Sequence, residues 1–175
     1  MRVYIFCSTD QIPDWLSKSI MRFQKSNYSH VGIVIVLDGE HIILFDGKVF
    51  HSTGDGMHEI SCKDFIHKKK KKFVELFDTT EYVLNTDRAL GWIEGNKGKD
   101  YSESQYVAII LSKLGLGWLG KRFYDGSSEL VCSEFVYLFL KEHSSLEEFK
   151  NMVQDLVTPR DVIDTLRIKV KGFTL

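Results

Sequence analysis

The stretch NYSHVGIVIV, residues 27 to 36, constrains this chain more than any other. In an extended conformation Val31, Ile33, Ile35 and Leu37 fall on one side, and His30, Gly32, Val34 and Val36 on the other. Both sides are mostly apolar, which predicts a strand internal to a sheet and covered on both faces. A second segment, ELVCSEFVYLFL at residues 129 to 140, predicts a nearly all-apolar, central helix over 130–142. Each segment carries one chemically active residue at its mouth, His30 in the first and Cys132 in the second.

The remaining elements are read around these two. RVYIFC (2–7) is a strand ended by STD, and Ile12, Leu16, Ile20 and Phe23 recur at helical spacing over 12–25 behind Pro13. DGE at 38–40 is a hairpin signal, HIILF a returning strand, and KVFHST a further extended run. TGDGMHEISCKDF reads as a glycine-rich loop and KFVELFD as a strand. TDRALGWIEGN is a short helix opened by Thr86 or Asp87. SESQYVAIILSKLG is a helix with a capping-box start and Gly115 as its stop. SSLEEFKNMVQDL and TPRDVIDTL are helices, the second with Pro159 at its first position, and RIKVKGF is a closing strand. With no repeat and no linker, residues 1–175 form one α+β domain.

Composition narrows the class. A hydrophobic fraction of 43% with 27% charged residues is that of a globular chain, and a net charge of −1 gives no pull toward nucleic acid. The three cysteines, Cys7, Cys62 and Cys132, form no CxxC pair, so neither a disulfide framework nor a cysteine-rich zinc site is indicated. A reducing compartment follows. No apolar run reaches transmembrane length and the N-terminus lacks a signal peptide's apolar core, so the expected location is cytoplasmic.

Cys132 stands in the first turn of its predicted helix, where the helix terminus lowers a thiol's pKa. His30 opens the best strand, and Gly32 on the same face leaves room for another element, such as the helix of Cys132, to approach. On position alone each residue is more often structural than catalytic. A third group should orient the imidazole, and His51 is the candidate. A plain turn at 38–40 sets His30 opposite residue 48, and two or three extra residues at FDG move the partner to 50 or 51. A flat meander with separate strands at 41–45 and 48–53 would instead leave the histidines about 9–10 Å apart. The triad therefore predicts a bulged strand.

Taken together, YSHVGIVI, VFHSTGDGMHEI, ELVCSEFVYLFL and VTPRDVI resemble the circularly permuted branch of the NlpC-type papain-like fold, including YiiX-like proteins. The resemblance covers about residues 2 to 166, including the lead-in IFCSTDQIPDWLSKSIMRFQKSNYSHVGI. It implies an antiparallel sheet packed against a central cysteine-bearing helix, with the histidine strand ahead of the cysteine helix. Carried over, Cys132 is the nucleophile, His30 the general base and His51 the polar third member. Tyr101, in GKDYSES behind Gly98, is the oxyanion or substrate-binding residue, although Ser102 follows it where the family often has aspartate. A helix-start packing role fits Tyr101 equally well.

These readings imply a cysteine hydrolase acting on a peptide, peptidoglycan-like or other amide substrate. The lecithin:retinol acyltransferase family also orders its site as His, His, Cys, and VCSEFV is similar to its motif. That resemblance implies acyl transfer or thioester and ester hydrolysis on an acyl-lipid substrate, with LGLGWLG as a possible apolar trough. A binding module that kept the fold without catalysis is the third reading. No cofactor is implied. His51, His58, Cys62 and His67 are metal-ligating types at no recognised spacing, and the lysines 68–72 read as a solvated loop rather than a phosphate or membrane contact.

Overall fold

The structure, a computed structural model, describes residues 1–13, 15–37, 47–53, 56–100, 109, 111, 115–116, 131–152 and 157–174. In chain order these form β1 (Arg2–Asp10), α1 (Trp15–Gln24), β2 (His30–Val36), β3 (Lys48–Thr53), β4 (Gly56–Ser61), α2 (Cys62–His67), β5 (Lys71–Asp78), α3 (Thr86–Asn96), α4 (Cys132–His143), α5 (Pro159–Lys169) and β6 (Gly172–Thr174). Short 3₁₀ turns lie at Thr80–Tyr82 and Glu147–Asn151. The class is α+β, as predicted. No helix among the described residues is long and apolar enough to cross a membrane.

The six strands form one sheet in the order β4-β3-β2-β1-β5-β6, every neighbouring pair antiparallel. β2 lies inside it, and all seven of its residues are buried. The two-faced pattern has its expected consequence. Val31, Ile33 and Ile35 join Val3, Ile5 and Cys7 in a large core with α3, α4 and α5. Val34 and Val36 join Tyr4, Phe6, Val49, Phe65 and Phe73 in a smaller core under α2.

α4 is the central helix of the larger layer. Phe135, Val136, Phe139 and Leu140 are completely buried, and Trp92 of α3 stacks on Phe135 at 5.7 Å between ring centroids. Its polar groups are tied down as well. Ser133 Oγ donates to the Val157 carbonyl at 2.7 Å and Tyr137 Oη to that of Met152 at 3.0 Å. α5 starts with a full capping box: Thr158 accepts from the Asp161 amide, Asp161 accepts from the Thr158 amide, and Pro159 fills the first helical position.

Several expected elements differ. TGDGMHEISCKDF is not a loop: it holds β4 and α2, the latter capped by Ser61 accepting from the Asp64 amide. STD continues β1 instead of ending it. α1 begins at Trp15, leaving Ile12 85% exposed. Asn85, rather than Thr86 or Asp87, caps α3 by accepting from the Arg88 amide. Residues 147–151 form a 3₁₀ turn. Arg167, Ile168 and Lys169 complete α5, so the closing strand is only Gly172–Thr174. Gly115 has the expected left-handed conformation (φ 79°), and the Leu116 amide donates to the Leu111 carbonyl, the six-to-one bond of a glycine-terminated helix. The DGE hairpin, the HIILF strand, the SESQ capping box, LGLGWLG apart from Gly115 and Leu116, Phe45, Asp46 and Tyr101 lie outside the described residues.

Candidate active site

β1 fixes where His30 sits. The antiparallel register sets Cys7 opposite Val31 and Ser8 opposite His30, at the end of the β1–β2 ladder. One rung away the β1–β5 pairing shifts, from Cys7–Glu75 to Ser8–Phe73, so β5 has one extra residue at Val74. Such a bulge twists the local sheet and re-aims side chains. The His30 ring points into the smaller core, with Phe6 at 6.2 Å between centroids.

β3 is the direct neighbour of β2, which brings His51 to His30. The pairs Ile33–Phe50, Val34–Val49 and Ile35–Lys48 define the register. Continuing it places His51 opposite Gly32 and Thr53 opposite His30, a different count from the partner at 50 or 51 expected from the turn. The contact is diagonal. His30 Nε2 and His51 Nδ1 are 3.1 Å apart, and the rings are nearly perpendicular at 83°. A diagonal cross-strand pair is within reach of long side chains, and the missing side chain at Gly32 lies between the two.

Gly32 has another role than the expected one. A Cβ there would stand 2.5 Å from Phe6 Cζ and 2.8 Å from the Phe50 carbonyl oxygen. The glycine thus admits the Phe6 ring and the β3 backbone. The helix carrying Cys132 packs on the other face, against the core that includes Val31, Ile33 and Ile35.

Burial governs the electrostatics of both rings. His51 sits edge-on to Phe65 and is 2% exposed. Loss of hydration pushes its pKa down from 6.5 to about 3, and the Lys71 ammonium adds to the effect. His30 is held well below the ordinary histidine value by burial first, then by His51 and Lys71. Both rings are neutral at pH 7, so one proton lies between Nε2 and Nδ1. When His30 donates it, His30 Nδ1 is left with its lone pair for a second partner.

Cys132 lies in the first turn of α4, as the sequence predicts, but is its first residue, two positions later than the expected start at 130. The N-cap, Val131, has no side-chain acceptor, so the first-turn amides are not capped by it. The sulfur lies beside the backbone amides of Val31 and Ser133, which favour its anion. That puts it against the His30–Val31 peptide, beyond the Ile33–Phe50 rung of the β2–β3 ladder. The expected lowering of the thiol pKa does not follow: Cys132 is 3% exposed, and burial pushes it up to about 11 despite the amides and Lys71. Desolvation outweighs the helix terminus here. Among the described residues Cys132 and His30 share no hydrogen bond, and Cys132 rests as a thiol. Burial pushes Cys7 and Cys62 higher still, to about 12, with the Glu75 carboxylate adding to it at Cys7 and no opposing group at Cys62 among the described residues.

Three further groups were not anticipated. Among the described residues, Lys71, bound to Asp10 at 2.5 Å, is the one ammonium whose field acts on Cys132, His30 and His51 alike. It belongs to the lysine run read as a solvated loop, but it opens β5 and is only 20% exposed. Ser8, opposite His30, is fully buried and its Oγ has no hydrogen-bond partner among the described residues. His58 pairs with His51 across β3 and β4, and its Nε2 is likewise buried and unpartnered. Ser8 shares the parity of Phe6 in β1, the only sign in the sequence that it faces His30. Among the described residues no three His, Cys, Asp or Glu side chains gather as a metal cage. No protein-family model matches the chain, and no curated protein matches it.

Proposed function

We propose that the protein is a cysteine-dependent hydrolase of the permuted papain-like kind, cleaving an amide bond through an acyl-enzyme. The observation that carries the reading is the 3.1 Å contact between His30 Nε2 and His51 Nδ1, with Cys132 at a helix start against the adjoining peptide. A papain-like site needs a thiol, an imidazole and a group that orients it, and these three residues supply one each.

The chemistry starts from neutral partners. For the Cys132 proton to reach it, the His30 ring turns from the smaller core, where His51 holds it, toward α4 on the other side of β2. Nδ1 takes the proton as the sulfur attacks the substrate carbonyl. The developing oxyanion accepts from the first-turn amides of α4, which no N-cap side chain engages. The C–N bond then breaks as His30 returns the proton to the leaving amine, leaving a thioester on Cys132. Water, deprotonated by His30, hydrolyses it and regenerates the thiol. Because burial disfavours both thiolate and imidazolium, proton transfer accompanies attack instead of preceding it. The site acts in the interior of one α+β domain, and the resemblance implies Tyr101 as a further oxyanion or substrate contact.

The same groups serve esters equally well, the chemistry of the lecithin:retinol acyltransferase type. The purified protein is therefore assayed against p-nitrophenyl acyl esters and small peptide anilides, with Cys132→Ser as control. A burst with anilides supports the amidase. A burst with esters alone replaces it with the acyltransferase or esterase reading. No Cys132-dependent turnover of either class leaves only the non-catalytic binding module.

A further inference from the structure

Beside the histidine pair lies an open cleft of ≈ 340 Å³ whose walls include His51, Thr53, His58, Lys69 and Lys71. Its shape is built, not accidental. The Lys68 and Lys69 amides both donate to the Asp64 carbonyl, and the Gln11 amide donates to that of Lys70 at 2.8 Å. Lys70 takes a left-handed conformation (φ 50°), and its two neighbours line the same cleft. Lys71 is anchored by Asp10, whose other carboxylate oxygen accepts from Ser17. Lys69 is exposed and forms no ion pair among the described residues. Glu59 also lines the cleft, but its carboxylate is held by Lys48 and Lys97. Among the described residues the cleft therefore presents lysine ammoniums, the neutral His51 ring and the His58 ring, with Glu59 already paired.

We infer that this cleft binds an anionic group of the substrate, a carboxylate or a phosphate, one side chain away from the catalytic imidazole. Lys69, exposed and without an ion pair among the described residues, supplies the charge, and Lys71, paired with Asp10, lines the wall beside it. The unpartnered Nε2 of His58, covered while the cleft is empty, adds a hydrogen bond when the anion draws the ring outward. His51 forms the shared wall, so an anion bound here abuts the group that orients His30. The inference deepens the hydrolase reading by naming its substrate class as acidic, and rests on it only in calling the anion part of a substrate.

The test is a titration of the full chain with inorganic phosphate, and separately with acetate, at constant ionic strength. The His51 and His58 ring C–H resonances report binding. The expected result is a saturable shift of both rings, weakened about tenfold by Lys69→Gln and restored by Lys69→Arg. His58→Gln, a change on a half-buried position, should weaken it independently. Tighter phosphate assigns a phosphoryl group, tighter acetate a carboxylate. Absence of a saturable shift with either anion, or an affinity indifferent to Lys69→Gln and His58→Gln, overturns the inference. The titration is repeated on Cys132→Ser, where binding should persist. Anion binding without acylation of Cys132 would sink the hydrolase and keep the cleft, and acylation without anion binding would do the reverse.

Discussion

Lowering the pH should unfold this protein through its buried histidines. The folded-state pKa of His51 is about 3, against an ordinary 6.5. Between those values the unfolded chain binds a proton that the folded chain excludes, so stability falls as pH falls, by about 1.4 kcal/mol per pH unit. From neutrality to about pH 5 the loss from His51 alone is about 2 kcal/mol. His30, also held well below its ordinary value, adds loss of the same sign. The carboxylates with lowered pKa values, Glu59 and Glu148, start from 4.5 and contribute only at lower pH. Urea unfolding at pH 7, 6 and 5 measures the slope. His51→Gln should remove about 2 kcal/mol of the pH dependence. It should also cost about 1 kcal/mol at neutrality, because His30 Nε2 loses its partner. A wild-type stability flat across this range, or equal slopes for wild type and His51→Gln, would refute the reasoning.

Two structural predictions follow from the packing. Gly32→Ala places a methyl group against Phe6 and the Phe50 carbonyl, and should destabilise by about 2–3 kcal/mol in urea. It should also disturb the ring resonances of His30 and His51. Thr158→Ala removes the capping box of α5 and should cost about 1 kcal/mol, without altering those resonances.

The parts legible in the sequence are those whose pattern was unambiguous. β2 could only be an internal strand because both of its faces are apolar, and α4 announced itself by length and apolarity. Pro159 after Thr158 marked the start of α5. The misread parts had patterns that competed. RIKVKGF alternates like a strand, yet its first three residues complete a helix begun at Pro159. GMHEISCKDF looks like a polar loop because β4 and α2 are each six residues long. The signal available there was Ser61 three residues ahead of Asp64, a helix cap.

Of the candidate site, the pairing of His30 with His51 was legible in the sequence, and its geometry only in part. Pairing His30 with His51 needed β3 beside β2, which holds. The register differs from the turn count, and the contact is a diagonal across Gly32. That Gly32 serves Phe6 depends on a long-range register with β1 that no local pattern encodes. The thiol's raised pKa was hidden for a related reason: the helix terminus can be read from spacing, whereas burial is a property of the assembled fold. Lys71 was obscured by its four lysine neighbours.

The claim that Cys132 and His30 act as one site is tested most directly by acylation mapping. The protein is treated with an activated acyl ester at neutral pH, quenched, digested, and each cysteine peptide weighed. The account predicts one acyl group, on Cys132, with Cys7 and Cys62 unmodified, and a rate reduced about a hundredfold or more by His30→Asn. Acylation of Cys7 or Cys62 instead, or of Cys132 at a rate indifferent to His30→Asn, would contradict it.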